Sequence, residues 1–186
     1  RRIEAVTGAN VLERINGMQS ELNRAAAAMK LNNPSELVHR AEQMAAELRE
    51  KDREIESLGA KLASVRAENL LASAKDVGGV QVVTGKFSGL EPAALRVLCD
   101  ELLKRSPGCV AVVAGVNGPK ANLAACAGKD ARQKGANAGK IVRATAALAG
   151  GKGGGKPDLA MAGVKDLSQL DRVFGGVEKI VANMIK

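Results

Sequence analysis

A long heptad repeat of apolar residues constrains the fold of this chain more than any other feature. Apolar side chains recur at alternating spacings of three and four over residues 11–72, with mostly charged residues and Gln between them. The repeat is interrupted at residues 31–36 (LNNPSE), where Asn33 can cap a helix, Pro34 can occupy its first turn and Glu36 can complete a capping box. The sequence therefore predicts an α-helical hairpin with coiled-coil character, its two antiparallel helices joined by a short connection.

The two predicted helices differ in length. At about 1.5 Å per residue, residues 11–29 span roughly 29 Å and residues 36–72 roughly 55 Å. About half of the longer apolar seam therefore has no partner within the hairpin. We expect this half either to form a homodimer through the long helix or to pack on a segment outside this sequence. The seam residues concerned are Leu48, Ile55, Leu58, Leu62 and Val65.

A second architecture begins at Gly78 and Gly79, where the heptad pattern stops. Strand patterns cover residues 80–87, 109–116, 121–128 and 158–163, and helical patterns cover residues 92–105, 136–149 and 166–185. Strands that alternate with helices predict a globular domain of the α/β (α+β) class with a mixed sheet. We place this domain at residues 78–186, after a helical arm at residues 11–77.

The residue types that catalysis and metal binding require are scarce. His39 is the only histidine, the three cysteines lack CxxC spacing, and the carboxylates of the second half are scattered. We therefore expect a binding module with no catalytic residues, no metal site and no cofactor. Cys99, Cys109 and Cys126 are expected to be reduced, buried thiols of a cytoplasmic protein. No apolar stretch has the length of a signal peptide or a membrane span.

Positive charge is concentrated in one part of the chain. Residues 1–72 contain 11 basic and 11 acidic side chains, whereas residues 73–186 contain 17 and 9 and so carry the whole net charge of +8. Between Gly118 and Lys156 there are eight basic residues and one acid. This asymmetry indicates a polyanionic partner for the second half of the chain.

A glycine-rich stretch, GGKGGGKPDLAMAG, lies at the end of this basic segment at residues 150–163. Gly150, Gly155 and Lys156 fit the front of a P-loop, but Pro157 stands where that motif needs Ser or Thr to reach Mg²⁺. The predicted order is also helix, loop, strand, the reverse of a P-loop. The stretch is therefore predicted to be a glycine loop that holds phosphate without hydrolysing a nucleotide.

RNA phosphate is the expected ligand of the basic segment. It contains no aromatic side chain on which bases could stack, so recognition of backbone or shape is favoured. The free N–H groups of the helix that begins near Gly135 to Asn137 would add to the site. The other interpretation is a flexible glycine connector with solvated lysines. The candidate RNA-binding residues are Lys120, Lys129, Arg132, Lys134, Gly135, Lys140, Arg143, Lys152, Gly153, Gly154, Gly155 and Lys156.

Four stretches resemble the alanyl-tRNA synthetase family. The glycine-rich stretch is similar to a motif near the C-terminus of these enzymes, and the opening RRIEAVTG is similar to the junction at the end of their editing domain. The helical arm and the NAGKIVR helix resemble the family in order and spacing. The resemblance implies a C-terminal fragment of the synthetase, in which residues 1–10 are a remnant of that junction.

The resemblance also carries expectations about function. It implies a dimerising arm and a DHH-associated globular domain that binds the outer corner of tRNA, alanine tRNA in this family, and helps to couple aminoacylation with editing. The parent enzyme, an alanine–tRNA ligase, is implied to use ATP, Mg and Zn through parts outside this chain. Related phosphoesterases typically carry His after the glycines, where this chain has Lys156, so hydrolysis is not implied. Two alternatives are the substrate-binding half of a DHH-type phosphoesterase and a purely structural oligomerisation arm.

Overall fold

The computed structural model describes residues 7–185, so most of the predicted junction at residues 1–10 lies outside the described part. The helices are α1 (Ala9–Ala28), α2 (Leu37–Ala72), α3 (Pro92–Arg105), α4 (Lys129–Gln133), α5 (Ala138–Leu148) and α6 (Leu170–Ala182), with 3-10 turns at Pro34–Glu36 and Leu167–Gln169. The strands are β1 (Lys75–Val77), β2 (Val80–Ser88), β3 (Cys109–Asn117), β4 (Lys120–Ala127), β5 (Lys152–Gly155) and β6 (Leu159–Val164).

The N-terminal unit runs to Glu56 and contains α1 and the first part of α2. The predicted cap forms at Asn33, whose side chain accepts a hydrogen bond of 3.0 Å from the Ser35 N–H, and Pro34 begins the 3-10 turn. Two helices with a short connection are thus confirmed. Their apolar seam is not buried within this unit, because Ile15, Leu22 and Leu48 remain exposed.

A six-stranded mixed sheet forms the second unit, which begins at Ser57. The strand order is β1-β2-β3-β4-β6-β5, with β2 and β3 parallel and all other neighbours antiparallel. The parallel pair is joined by α3, as a β–α–β crossover requires. The predicted fold class is confirmed. Because β5 pairs only with β6, it is an edge of this sheet.

Each face of the sheet is covered by helices. One core joins alternate residues of β2, β3, β4 and β6 to α5 and α6, with Val112, Leu123 and Ile141 fully buried. The other joins the opposite residues to α3 and the end of α2, with Leu98 and Leu102 fully buried. With only two Phe and no Tyr or Trp in the chain, these cores consist of small and aliphatic side chains.

The last turns of α2 belong to the second unit, so the compact unit begins earlier than the predicted boundary at residue 78. Ala67 and Leu70 are buried against the α3 side of the sheet. The Arg66 guanidinium lies 5.1 Å from the centre of the Phe87 ring. The Arg105 guanidinium donates a 2.6 Å hydrogen bond to the Ser64 hydroxyl. These contacts fix the end of α2 on the domain.

Three elements were not predicted: β1, α4 and β5. All are short, between three and five residues, and their sequences (KDV, KDARQ and KGGG) lack an apolar period. Conversely, the predicted strands and longer helices are present within a few residues of their expected bounds. The cap predicted at Asp166 forms through a 3.0 Å hydrogen bond from the Ser168 N–H. The three cysteines are buried as expected.

Candidate nucleic-acid interface

The predicted glycine loop is in part an edge strand. Lys152, Gly153, Gly154 and Gly155 form β5, which pairs antiparallel with residues 160–163 of β6. Pro157 and Asp158 make the turn, and the Lys156 N–H donates a 3.0 Å hydrogen bond to the Leu159 carbonyl across it. The lysine-flanked glycines are therefore held in an extended conformation on the sheet. The predicted glycine loop and the alternative of a flexible connector are both wrong for residues 152–155, which form a paired strand.

Glycine is required in β5 because the strand lies very close to β6. A Cβ added at Gly153 would stand 2.7 Å from the Cα of Ala162, and one added at Gly155 would stand 2.6 Å from the Cα of Ala160. Real side chains do not tolerate such distances from backbone atoms. The glycine run thus has a packing role in addition to any contact with a ligand.

Helix α5 packs beside the end of β5. Its N-terminal N–H groups are partly satisfied within the chain, since the Ala138 N–H donates to the Pro157 carbonyl at 2.9 Å and the Lys140 N–H donates to the Asn137 side chain at 3.0 Å. The predicted phosphate site at Gly135 to Asn137 therefore has two fewer free donors than expected. Gly135 itself lies against the Met184 carbonyl, with a φ of 104° that favours glycine.

Four of the predicted basic residues surround β5. Lys152 begins the strand and Lys156 follows its end, while Lys140 and Arg143 come from α5. All four are exposed, and within residues 7–185 none of them has a carboxylate oxygen within 4.0 Å. This group, here named the β5 surface, has free positive charge beside a backbone that carries no side chains.

Four other predicted residues lie elsewhere. Lys129 and Arg132 are on α4, which follows the C-terminal end of β4. Lys120 lies at the opposite, N-terminal end of that strand. The Lys134 ammonium donates a 2.7 Å hydrogen bond to the Gly79 carbonyl in the turn between β1 and β2. That turn is at the sheet edge opposite to β5. The continuous basic segment of the sequence is thus divided in the fold, and Lys129, Arg132, Lys134 and Gly135 are not part of the β5 surface.

Two open grooves adjoin β5, and each adds a basic residue that the sequence analysis missed. One, of about 490 Å³, lies at the start of the strand, and Lys165 contributes to its lining. The other, of about 350 Å³, lies at the end of the strand, and Arg96 of α3 contributes to its lining. Both residues lie outside the predicted basic segment between Gly118 and Lys156. The first groove is lined by Lys120, Asn122, Gly151, Lys152, Gly163 and Lys165, among others, and the second by Arg96, Gly154, Gly155, Lys156, Asp158 and Met161, among others.

The titratable side chains of the described residues include three buried thiols and scattered carboxylates. In the described part of the chain, no three His, Cys, Asp or Glu side chains are grouped so as to hold a metal ion. Burial raises the pKa of the Cys109 thiol to about 12, far from the range of a reactive thiolate. None of the helices in this described range combines the length and the hydropathy of a membrane span.

A six-stranded mixed sheet with a glycine edge strand and a basic border characterises this domain. Residues 79–183 match the DHHA1 domain, and the chain belongs to this domain family. More particularly, it is similar to the C-terminal region of alanine–tRNA ligases. It is 38% identical over 186 residues to the enzyme of Bacillus thuringiensis (strain Al Hakam) and 37% identical over 185 residues to that of Bacillus pumilus (strain SAFR-032). Each match covers all of this chain but only 21% of the length of the relative.

A solved structure gives the same relationship. The C-Ala domain of alanyl-tRNA synthetase from Aquifex aeolicus matches with a TM-score of 0.55 and 29% sequence identity. The match covers 59% of this chain and 97% of that domain. The resemblance found in the sequence is therefore confirmed at the level of the fold.

Proposed function

We propose that this chain is a tRNA-binding C-terminal module of an alanyl-tRNA synthetase, and that the β5 surface contacts the phosphates at the outer corner of tRNA. By holding the tRNA there, the module helps to couple aminoacylation with editing. The observation that carries this proposal is the glycine edge strand bordered by Lys140, Arg143, Lys152 and Lys156. The similarity to the C-terminal region of alanine–tRNA ligases supports it.

Phosphate is the part of tRNA that suits this surface. Lysine and arginine without carboxylate partners gain most from an anion that replaces small counterions. Gly154 has no side chain, and the Arg143 guanidinium lies over the place where its Cβ would stand, so a phosphate bound there would meet both the strand backbone and a cation. No aromatic side chain lines either groove, so base stacking does not contribute.

The chain has no catalytic role in this proposal. The parent protein is the alanine–tRNA ligase, and the ATP, Mg and Zn of that enzyme belong to its other parts. The module works in the cytoplasm, where tRNA is aminoacylated. Because the corner is a feature of many tRNAs, we expect little preference for alanine tRNA from this module alone.

The test is a binding titration of a tRNA transcript at several salt concentrations. We expect the logarithm of the affinity to fall linearly with the logarithm of salt, with a slope of about −0.9 for each phosphate neutralised in duplex regions. Lys152→Ala with Lys156→Ala should weaken binding and reduce the slope, whereas Lys104→Ala with Lys179→Ala, an equal change of charge on exposed helical positions, should do so much less. Protection mapping should show the corner; protection confined to the acceptor end would contradict the proposal.

The two alternative functions predict different observations. A substrate-binding half of a DHH-type phosphoesterase would be preceded in its full-length protein by a DHH motif rather than by synthetase domains. A purely structural arm would show no tRNA binding at all in the titration. Either observation would replace the proposed function.

We further propose that the chain forms a homodimer through α2. The seam residues are all exposed to solvent, each with 49% to 66% of its surface accessible: Leu48, Ile55, Leu58, Leu62 and Val65. Their spacings of seven, three, four and three continue one heptad seam. A second copy presents the same seam and the same charge-balanced flanks, and therefore supplies a partner whose apolar stripe has equal length.

A further inference from the structure

The groove at the start of β5 is built around a missing side chain. Gly163 of β6 lies directly opposite Asn122 of β4 on one side and Lys152 of β5 on the other. Residues directly opposite one another in antiparallel strands project to the same face of the sheet. A Cβ added at Gly163 would meet nothing within 4 Å. An open channel therefore runs between the side chains of Asn122 and Lys152.

Two more lysines converge on this channel. Lys120 is two residues before Asn122 and so shares its face of the sheet, and Lys165 follows Gly163 by two residues. Three strand ends thus bring three like charges to a single groove. All three lysines are exposed, and in residues 7–185 no carboxylate oxygen lies within 4.0 Å of their ammonium groups.

The acid nearest in sequence is Asp166. Its carboxylate accepts a 3.0 Å bond from the Ser168 N–H and a 2.6 Å bond from the Ser168 hydroxyl, and these hydrogen bonds lower its pKa. It is therefore engaged as a cap of the turn that follows β6. Like charges in a shared groove repel one another. An anion placed between them adds attractions that make the net electrostatic interaction in the groove favourable.

We propose that this groove, named here the three-lysine groove, seats one phosphodiester of the RNA backbone. Lys120, Lys152 and Lys165 act as point charges on its free oxygens, and the Asn122 amide is a further donor. Gly163 leaves the space that the phosphate fills. The inference rests on the proposed function, and it extends the binding surface past the start of β5 to Lys165, outside the predicted basic segment.

A charge test uses the whole chain with a tRNA transcript. Lys165→Ala should weaken binding about fivefold at 0.1 M salt and reduce the magnitude of the salt slope by less than about one, because Lys120 and Lys152 still neutralise part of the phosphate charge. The control is Lys104→Ala, an exposed lysine in the last turn of α3 that is not in either groove. Since the lysines share one phosphate, Lys120→Ala combined with Lys165→Ala should reduce the magnitude of the slope by about one in total, and not by two.

A steric test leaves every charge in place. Gly163→Val should keep the fold, because the space at Gly163 is open and its φ is not in the left-handed region, but should fill the channel. We expect weaker tRNA binding with an unchanged melting temperature. If the unaltered chain fails to bind the transcript, the proposed function falls, and the groove with it. If it binds while Lys165→Ala matches Lys104→Ala and Gly163→Val binds as tightly as the unaltered chain, only the three-lysine groove is overturned.

Discussion

The guanidinium of Arg143 on α5 lies over the position where Gly154 in β5 would carry a side chain. A Cβ added at Gly154 would stand 3.7 Å from the Nε atom of Arg143, an ordinary van der Waals distance. This arrangement brings a cation of the helix in the basic segment next to the glycine strand. It therefore places a guanidinium, which can donate to two phosphate oxygens at once, beside an open strand edge.

The glycines of β5 should differ sharply in their tolerance of a methyl group. Gly153→Ala should lower the free energy of unfolding by about 1–3 kcal/mol, because the added atom overlaps Ala162 of β6. Gly154→Ala should change it by less than about 0.5 kcal/mol, since its neighbours lie at contact distance. Urea unfolding followed by circular dichroism measures both. Equal losses for the two variants would show that β5 is not held against β6 as described.

Arg143 should contribute to RNA binding through its position over β5. Arg143→Ala is expected to weaken tRNA binding about fivefold and to reduce the magnitude of the salt slope by about one. Arg172→Ala is the control. Arg172 is an exposed arginine in the first turn of α6, so the substitution removes the same charge. The measurement is a salt titration of filter-binding or fluorescence affinity. Indistinguishable slopes for the two variants would remove Arg143 from the interface.

The exposed seam of α2 should determine the oligomeric state. Ile55→Lys with Leu62→Lys places two charges on the seam and should weaken dimerisation by at least about a hundredfold, because each buried aliphatic side chain is worth about 1.5–3 kcal/mol. Glu56→Lys changes the net charge equally but lies beside the seam, and should leave the dimer intact. Sedimentation equilibrium distinguishes these outcomes. A monomer for the unaltered chain at high micromolar concentration contradicts the homodimer.

Cys109 should make stability fall at high pH. Burial raises the pKa of its thiol from 9.0 to about 12 in the folded state, so above pH 9 the unfolded chain loses a proton that the folded chain retains. This contribution to stability is complete below pH 9 and is lost as the pH rises toward 12, at up to about 1.4 kcal/mol per pH unit. Unfolding in urea at pH 8–11 measures it. Cys109→Ala should show a shallower decline; an identical decline would assign the effect to other groups.

Much of the fold could be predicted because its signals are local. The caps at Asn33 and Asp166 each depend on a side chain and a backbone group two residues away. The strands around Val112 and Leu123 are apolar runs between turn residues. Such features can be recognised from a few neighbouring residues, and the structure has them where they were expected.

The strand β5 could not be predicted in this way. A run of three glycines has no strand preference of its own, and in isolation it indicates a turn or a linker. Its conformation comes from pairing with β6 and from close contact with Ala160 and Ala162. These partners follow it by only a few residues, but the closeness of the two strands depends on the packing of the whole sheet edge.

The sequence by itself determined the five longer helices, the four longer strands and the excess of positive charge in the second half of the chain, because period, capping and composition are local properties. Only the tertiary structure decided where those charges lie. The strand order puts Lys134 at Gly79, near the far edge of the sheet, and brings Lys165 to the groove that contains Lys120 and Lys152. Which charges share a surface depends on strand order and register, and these are fixed by contacts between residues far apart in the chain.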